Sequence, residues 1–163
     1  MSASGREAPE AAVVGVGVDA VDLDRFRLVL GRRRHLAERV FTEGERADAS
    51  ASADPVPRLA ARFAAKEAVM KALGVGLGAF ALAEVEVVRD DRSGAPSLVL
   101  HGSAADRARS AGVARWHLSL SHSGLVALAM VVAAGRAGAQ GAPGAPGAQG
   151  APGAAGAPSP AAP

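Results

Sequence analysis

The segment RFAAKEAVMKALGVG, residues 62–76, carries the strongest helix signal in the sequence. The stretch from residue 58 to residue 73 is rich in alanine, and Gly74 follows it where a glycine commonly ends a helix. The segment also holds the only two lysines of the chain, Lys66 and Lys71, although the chain has sixteen arginines. An ammonium can release a proton and a guanidinium cannot, so lysine indicates a chemical role here. A GC-rich coding bias is the alternative explanation for the scarcity of lysine.

Strands and helices are predicted on both sides of this helix. Residues 12–19, AVVGVGVD, alternate apolar and small side chains and predict a strand that ends at Asp19. The other predicted elements are a helix over 22–36, a polar loop over 43–57, a hairpin of 82–90 with 96–102, a helix over 103–111, and two strands, 114–122 and 125–132, joined through SHSG. This order predicts a single α+β domain with a mainly antiparallel sheet packed against a long central helix.

The composition restricts the class of protein and its partners. The 163 residues suffice for one domain with a hydrophobic core. Cysteine is absent, which excludes disulfides and thiolate chemistry and is compatible with the cytoplasm. The N-terminal residues lack the apolar region of a secretory signal, and the longest apolar run reaches only about half the length of a membrane-spanning helix. With a net charge of only +2, we expect a cytoplasmic protein that binds neither membranes nor nucleic acid.

The two ends of the sequence differ from its centre. We predict a disordered extension over residues 1–12, the folded domain over residues 13–135, and a disordered tail over residues 136–163. In the tail, glycine recurs at every third position from Gly135 to Gly156 among alanine, proline and glutamine. A collagen-like triple helix is the alternative for the tail, and it would require three chains side by side.

Charged side chains of the central helix form a candidate site for a divalent cation. Glu67 and Lys71 lie four residues apart, as do Arg62 and Lys66, a spacing that ordinary pairing on a helix surface also produces. Asp19 ends an apolar strand, where a carboxylate either caps the next helix or binds a cation. Together, Asp19 and Glu67 offer the two oxygen ligands that Mg²⁺ commonly takes from a protein.

Two loops add further candidates for ligand binding. The run GVGLGAF, residues 74–80, contains glycines that let the backbone approach a ligand closely, although its spacing is not that of a P-loop. His122 lies in the SHSG connection, where it is either a solvated turn residue or a contact to a ligand.

Three blocks of the sequence together resemble the short bacterial 4'-phosphopantetheinyl transferases, the holo-acyl carrier protein synthase family. The blocks are GVGVDAVDLDRF at 15–26, RFAAKEAVMKALGVG at 62–76 and WHLSLSHSGLVALA at 116–129. They occur in the order found in the family and span essentially the whole predicted domain. The resemblance implies the fold of that family and transfer of the phosphopantetheine arm of coenzyme A to a serine of an acidic apo-acyl carrier protein. Adenosine 3',5'-bisphosphate would be released.

The resemblance also implies roles for individual residues. Asp19 and Glu67 match the magnesium ligands of the family, and Lys71 matches the lysine beside the scissile pyrophosphate. Glu67 and Lys71 would be catalytic, because a carboxylate can accept the serine proton and an ammonium can protonate the departing phosphate. Positions near the nucleotide and its phosphates are matched by Arg62, Lys66, Gly74, Gly76 and His122.

The predicted first helix offers a surface for the carrier protein. Arg25, Val29 and Arg32 have the spacing of residues that share one helix face. A cationic stripe would attract an acidic carrier, although a solvated basic face would have the same pattern. The resemblance implies that these three residues contact the carrier.

The resemblance finally implies a homotrimer with active sites at the subunit interfaces. Two positions depart from the family pattern, since Val75 replaces a usual threonine and Ser123 stands where threonine or aspartate is common. Two other functions stay open at this point. One is phosphopantetheine transfer to carrier domains of polyketide or peptide synthases, and the other is a non-enzymatic trimeric scaffold.

Overall fold

The protein is described by a computed structural model that covers residues 11–33, 35–90 and 92–136. The predictions for residues 1–10 and 137–163 lie outside the described residues, whereas Ala11, Ala12 and Arg136, which were predicted as disordered, lie in β1 and β5. The elements are β1 (Ala11–Asp22), α1 (Leu23–Arg32), α2 (Leu36–Val40), α3 (Glu43–Ser50), α4 (Val56–Ala72), β2 (Val85–Arg89), β3 (Pro96–Leu100), α5 (Gly102–Ser110), β4 (Val113–His122) and β5 (Val126–Arg136), with a 3-10 turn over Leu82–Glu84. None of the helices in these ranges is long and apolar enough to cross a membrane.

Two antiparallel sheets form the β part of the molecule. The larger sheet has the strand order β1-β5-β4, and the smaller one is the β2-β3 hairpin. Along β5, small buried side chains alternate with larger exposed ones, because successive residues of a strand face opposite sides of the sheet. The buried set is Ala127, Ala129, Val131 and Ala133, and the exposed set is Val126, Leu128 and Met130. The predicted α+β class with antiparallel pairing is confirmed.

Helix α4 packs on the inner face of the larger sheet and forms the centre of the core. Its alanines are small enough for the helix to lie close to its neighbours, and four of them are completely buried: Ala60, Ala64, Ala65 and Ala68. The helix ends in a Schellman motif around Gly74, whose φ is 67°. In this motif the Val75 N–H donates to the Met70 carbonyl at 3.0 Å. The predicted terminating glycine is confirmed.

Two glycines of β1 allow α4 to touch the strand directly. A Cβ on Gly17 would overlap the carbonyl oxygen of Ala68 and lie 2.8 Å from its carbonyl carbon. A Cβ on Gly15 would overlap the carbonyl oxygen of Ala72 in the same way. Any side chain at either position would therefore push α4 away from β1. Asp19 lies two residues beyond Gly17 on the same face of β1, so this close approach brings it next to α4.

The predicted end of the first strand is wrong. β1 does not stop at Asp19 but continues to Asp22. Asp22, not Asp19, caps α1, because its Oδ1 accepts a hydrogen bond from the Arg25 N–H at 2.8 Å. The capping role considered for Asp19 is therefore excluded. Downstream, the helix predicted over 22–36 is interrupted after Arg32, and α2 begins at Leu36.

The predicted loop over 43–57 is also wrong in its first half. Residues Glu43–Ser50 form α3, which begins with a capping box. The Thr42 hydroxyl accepts from the Glu45 N–H at 3.2 Å, and the Glu45 carboxylate accepts from the Thr42 N–H at 3.0 Å. The small polar residues of α3 are typical of a loop, which is why this helix was not predicted. Thr42 and Glu45, three positions apart, have the spacing of a capping box and did indicate a helix start.

Candidate active site

Asp19 and Lys71 form an ion pair between β1 and the last turn of α4. Lys71 Nζ donates to Asp19 Oδ1 at 2.8 Å and to the Val18 carbonyl at 2.9 Å. The Asp19 side chain is 15% exposed and that of Lys71 is 52% exposed, so the pair lies at the rim of the core. The residues are 52 positions apart in sequence, and the fold brings them together as the resemblance implies.

Glu67 lies one helical turn before Lys71 and is half-buried. Burial raises the pKa of the Glu67 carboxyl, the negative charge of Asp19 raises this pKa further, and Lys71 acts in the opposite direction. The two carboxylates are therefore close enough to repel each other. A divalent cation between them would relieve this repulsion.

The donor set fits Mg²⁺ better than a metal that needs a complete protein cage. Among residues 11–33, 35–90 and 92–136, no group of three or more histidine, cysteine, aspartate or glutamate side chains could hold a metal ion. Asp19 and Glu67 supply only hard oxygen ligands. Mg²⁺ usually binds through one or two carboxylates and fills its remaining positions with water and substrate phosphates.

A cationic cleft lies along the earlier part of α4. It has a volume of about 330 Å³, and its lining includes four basic side chains, Arg58, Arg62, Arg89 and His122. Pro96, at the start of β3, lines the same cleft. The structure thus brings together Arg62 and His122, which the sequence assigned to the nucleotide. Arg62 precedes Glu67 by five residues, which places the cleft roughly 7.5 Å along the helix from the carboxylate pair.

Arg62 is the most buried of the four basic residues, with 4% exposure. Its Nη1 donates to the Arg58 carbonyl at 3.1 Å, and its Nη2 pairs with the Asp48 carboxylate. Its buried Nε finds no acceptor within the described part of the chain. A buried donor without an acceptor is costly.

The assignment of Lys66 to the nucleotide is wrong. Its side chain is completely buried and donates to Glu45 Oε2 at 2.7 Å, to the Leu82 carbonyl at 3.1 Å and to the Val85 carbonyl. The Phe41 ring centroid lies 5.5 Å from Nζ. Burial lowers the pKa of Lys66, and the Glu45 charge opposes that change. No donor of this ammonium remains for a phosphate.

The remaining predicted residues lie on the surface. Gly74 and Gly76 follow α4 in an exposed turn, and a Cβ at either position would meet nothing within 4 Å. Arg25, Val29 and Arg32 are exposed on one face of α1. Leu28, which is 59% exposed, lies beside Val29 on this face. Leu28 was not predicted as part of this face, although it lies three residues after Arg25.

Three charged residues of the cleft were not predicted from the sequence. Arg58 lies one turn before Arg62, and this i,i+4 spacing of two arginines was visible in the sequence. Asp48 and Arg89 reach the cleft only through the packing of α3 and the β2-β3 hairpin around α4. No local sequence signal places them there.

Comparison with known proteins finds relatives of similar sequence and similar fold. Residues 15–128 match the model of the 4'-phosphopantetheinyl transferase superfamily. A holo-[acyl-carrier-protein] synthase from Frankia alni is 52% identical over 122 residues, which cover 75% of this chain and 98% of that protein. The crystal structure of holo-[acyl-carrier-protein] synthase from Neisseria meningitidis has a TM-score of 0.68 at 32% identity and covers 75% of this chain and 98% of its own. A holo-(acyl-carrier-protein) synthase from Bacillus anthracis, in complex with CoA (3',5'-ADP), has a TM-score of 0.62 at 36% identity and covers 76% of this chain and 97% of its own.

Proposed function

The chain belongs to the 4'-phosphopantetheinyl transferase superfamily as a holo-[acyl-carrier-protein] synthase, and from this premise we propose how its residues carry out the reaction. The serine hydroxyl of an apo-acyl carrier protein attacks the phosphorus next to the pantetheine arm of coenzyme A. The pyrophosphate bond breaks, the arm moves to the serine, and adenosine 3',5'-bisphosphate leaves. The observation that carries this proposal is the Asp19–Lys71 ion pair, with Glu67 one turn away on α4.

Asp19 and Glu67 would hold a Mg²⁺ ion at the junction of β1 and α4. When bound there, the ion would neutralise charge on the phosphate oxygens. Glu67 suits the role of proton acceptor, because its half-buried carboxylate lies one helical turn from Lys71. It would take the proton of the serine hydroxyl.

Lys71 would act on the departing group. Its side chain is half exposed and reaches across to β1, so its ammonium can meet a phosphate that approaches from solvent. A proton donated from Nζ to the leaving phosphate would compensate the negative charge that develops there. Since Lys66 is buried, Lys71 is the one of the two lysines that can serve this purpose.

The cationic cleft beside Arg62 would bind the nucleotide end of coenzyme A. Its arginines and His122 provide donors for phosphate oxygens. In this proposal the pyrophosphate lies at Glu67 and the nucleoside at Arg62, which are roughly 7.5 Å apart along α4 and about 140° apart around it. Gly74 and Gly76 leave their turn open to the same ligand.

The acidic carrier protein would dock on the exposed face of α1. Arg25 and Arg32 provide positive charge at the two ends of this face, and Val29 and Leu28 provide apolar contact between them. Opposite charges on two partners raise the rate at which they meet. We also expect this reaction in the cytoplasm.

The outer face of the larger sheet would join three copies of the chain. Its apolar side chains are partly exposed, with Val16 at 50%, Val18 at 46%, Leu128 at 40% and Met130 at 43%. The register places Val18 opposite Met130 and Val16 opposite Val132, so these residues form one continuous patch. Such a patch commonly marks a surface that another protein covers. We assign it to the homotrimer that the family resemblance implies.

The reaction can be tested by weighing the carrier protein. Purified protein is incubated with coenzyme A, Mg²⁺ and an apo-acyl carrier protein, and a gain of about 340 Da on the carrier is expected. Omission of coenzyme A is the control. Parallel reactions with a polyketide and a peptide synthase carrier domain compare the substrate classes. No gain on any carrier would contradict the proposed activity.

A further inference from the structure

The ion pair between Lys66 and Glu45 lies outside the site described above. Both side chains are buried, with 0% and 1% exposure. Lys66 Nζ donates to Glu45 Oε2, to the Leu82 carbonyl and to the Val85 carbonyl, so all three of its hydrogens are engaged.

Glu45 extends this connection to two further backbone groups. Its Oε1 accepts from the Val87 N–H of β2 at 3.0 Å, and its Oε2 accepts from the Thr42 N–H at the start of α3 at 3.0 Å. One buried ion pair therefore ties α4 to α3, to the 3-10 turn and to β2.

The position of Lys66 on α4 gives this connection a geometric consequence. Lys66 and Ala68 are two residues apart, which corresponds to about 200° around the helix. Ala68 contacts Gly17 of β1 on one side, and Lys66 is anchored to β2 and α3 on nearly the opposite side. Glu67 projects between these two anchored faces.

Small rotations of α4 would displace the Glu67 carboxylate appreciably. Helical side chains reach about 5 to 6 Å from the helix axis, so a rotation of about 10° moves their tips by about 1 Å. A displacement of this size at a reacting group can cost about 100-fold in rate. The position of the Glu67 carboxylate therefore depends on how firmly α4 is held against rotation about its own axis.

We propose that the Lys66–Glu45 pair is a positioning device that fixes the rotation of α4 and so holds Glu67 opposite Asp19. The inference rests on the proposed role of Glu67 in phosphopantetheine transfer. A purely stabilising role does not require this pair, because apolar residues of similar volume often replace a buried ion pair without loss of stability. Directional hydrogen bonds to fixed carbonyls restrict rotation, which apolar packing does less well.

The test removes both charges while it keeps the volumes. In the double variant Glu45→Gln, Lys66→Met, the amide oxygen at position 45 can still accept from the Val87 N–H. We expect kcat to fall at least tenfold, the KM for coenzyme A to change less than threefold, and the thermal midpoint to stay within a few degrees. The affinity of the protein for Mn²⁺, in the absence of substrates, should fall at least fivefold. Electron paramagnetic resonance of the free ion measures this affinity.

The control is Ala108→Gly in α5, a buried position on a helix that makes no hydrogen bond to this pair. It should lower the thermal midpoint and leave kcat and Mn²⁺ affinity unchanged. Unchanged kcat and Mn²⁺ affinity in the double variant would overturn the positioning role. Absence of transfer by the unmodified protein would instead contradict the proposed function.

A second variant covers the case in which the double variant does not fold. Lys66→Met alone removes the hydrogen bonds from Nζ to Glu45 and to the Leu82 and Val85 carbonyls. The same losses of kcat and of Mn²⁺ affinity are expected. A folded Lys66→Met protein with full kcat and full Mn²⁺ affinity would likewise overturn the proposal.

Discussion

The two lysines of the chain have opposite environments although they lie five residues apart on one helix. Lys71 reaches solvent and pairs with a carboxylate of the neighbouring strand, whereas Lys66 is buried and fully hydrogen-bonded. The helix rotation between them accounts for the difference, since five residues turn about 500°, which carries the side chain to another face. Only Lys71 is therefore available to a substrate.

Glu67 is expected to lower the stability of the fold and to contribute to the proposed reaction. Its carboxylate is half-buried next to Asp19, and both features raise its pKa. Replacing Glu67 with glutamine should reduce kcat/KM by roughly 100- to 10,000-fold, because proton acceptance and a cation ligand are lost together. The thermal midpoint, measured without divalent cations, should stay the same or rise, because the repulsion from Asp19 disappears.

Both kcat/KM and the thermal midpoint of the Glu67→Gln protein should be measured on the same preparation. Asp24→Asn, at an exposed position in the first turn of α1, serves as the matched loss of one carboxylate and should retain transfer activity. Full activity of the Glu67→Gln protein would contradict the assignment of this residue to the site.

At the residue scale, the sequence predicted that Asp19, Glu67 and Lys71 belong to one site, and the structure places Asp19 beside Lys71. Asp19, Glu67 and Lys71 could be selected because charges of opposite sign stood in an apolar strand and on one helix face. The burial of Lys66 could not be predicted, because its partner Glu45 lies 21 positions away in a segment that was predicted as a loop. Long-range partners decide whether a helical lysine is exposed, and local spacing does not contain them.

At the element scale, contact between β1 and α4 determines the geometry of the site. Gly15 and Gly17 leave room for the carbonyl oxygens of Ala72 and Ala68. The alternation of glycine with valine in β1 was readable as a strand, but the sequence did not show which element the glycines would face. The capping box of α3 was readable as well, and it was outweighed by the small polar residues that follow it.

Gly17→Ala should separate β1 from α4. Its Cβ would overlap the backbone of Ala68, and because backbone cannot rotate away as a side chain does, we expect a loss of about 3 kcal/mol in the free energy of unfolding. Urea unfolding at one fixed protein concentration measures this change.

Gly31→Ala is the matched control for this substitution. A Cβ at Gly31 would meet nothing within 4 Å, and the position lies in the last turn of α1. Alanine is a better helix former than glycine, so this variant should be as stable as the unmodified protein or up to about 1 kcal/mol more stable. Equal stability of the Gly17→Ala and Gly31→Ala proteins would argue against the direct contact of β1 with α4.

At the scale of the whole molecule, the two faces of the larger sheet have different surroundings. The inner face packs against α4, and the outer face carries the apolar patch around Val18 and Met130. A single chain leaves this patch in water, which is unfavourable in proportion to its apolar area. Association of copies through this face is therefore expected to contribute to the stability of the assembly.

Met130→Asp should prevent that association. A carboxylate in the centre of the patch would be buried without a partner when copies meet, which is strongly unfavourable. Light scattering coupled to gel filtration should give three chain masses for the unmodified protein and one for the variant. Val99→Asp, at a position that is 39% exposed on the separate β2-β3 hairpin, should remain trimeric. A trimeric Met130→Asp protein would contradict the assigned interface.

The pairing of Ala11 with Arg136 places the first and last described residues side by side at one end of β1 and β5. Asp19 lies eight residues along β1 from this end, about 26 Å away at the usual rise of a strand. Affinity tags, fluorophores or a tether to a solid support can therefore be attached next to either residue, far from Asp19. In a variant that lacks residues 1–10 and 137–163, a short peptide linking Ala11 to Arg136, with new ends opened in a surface turn, offers a route to a circularly permuted protein.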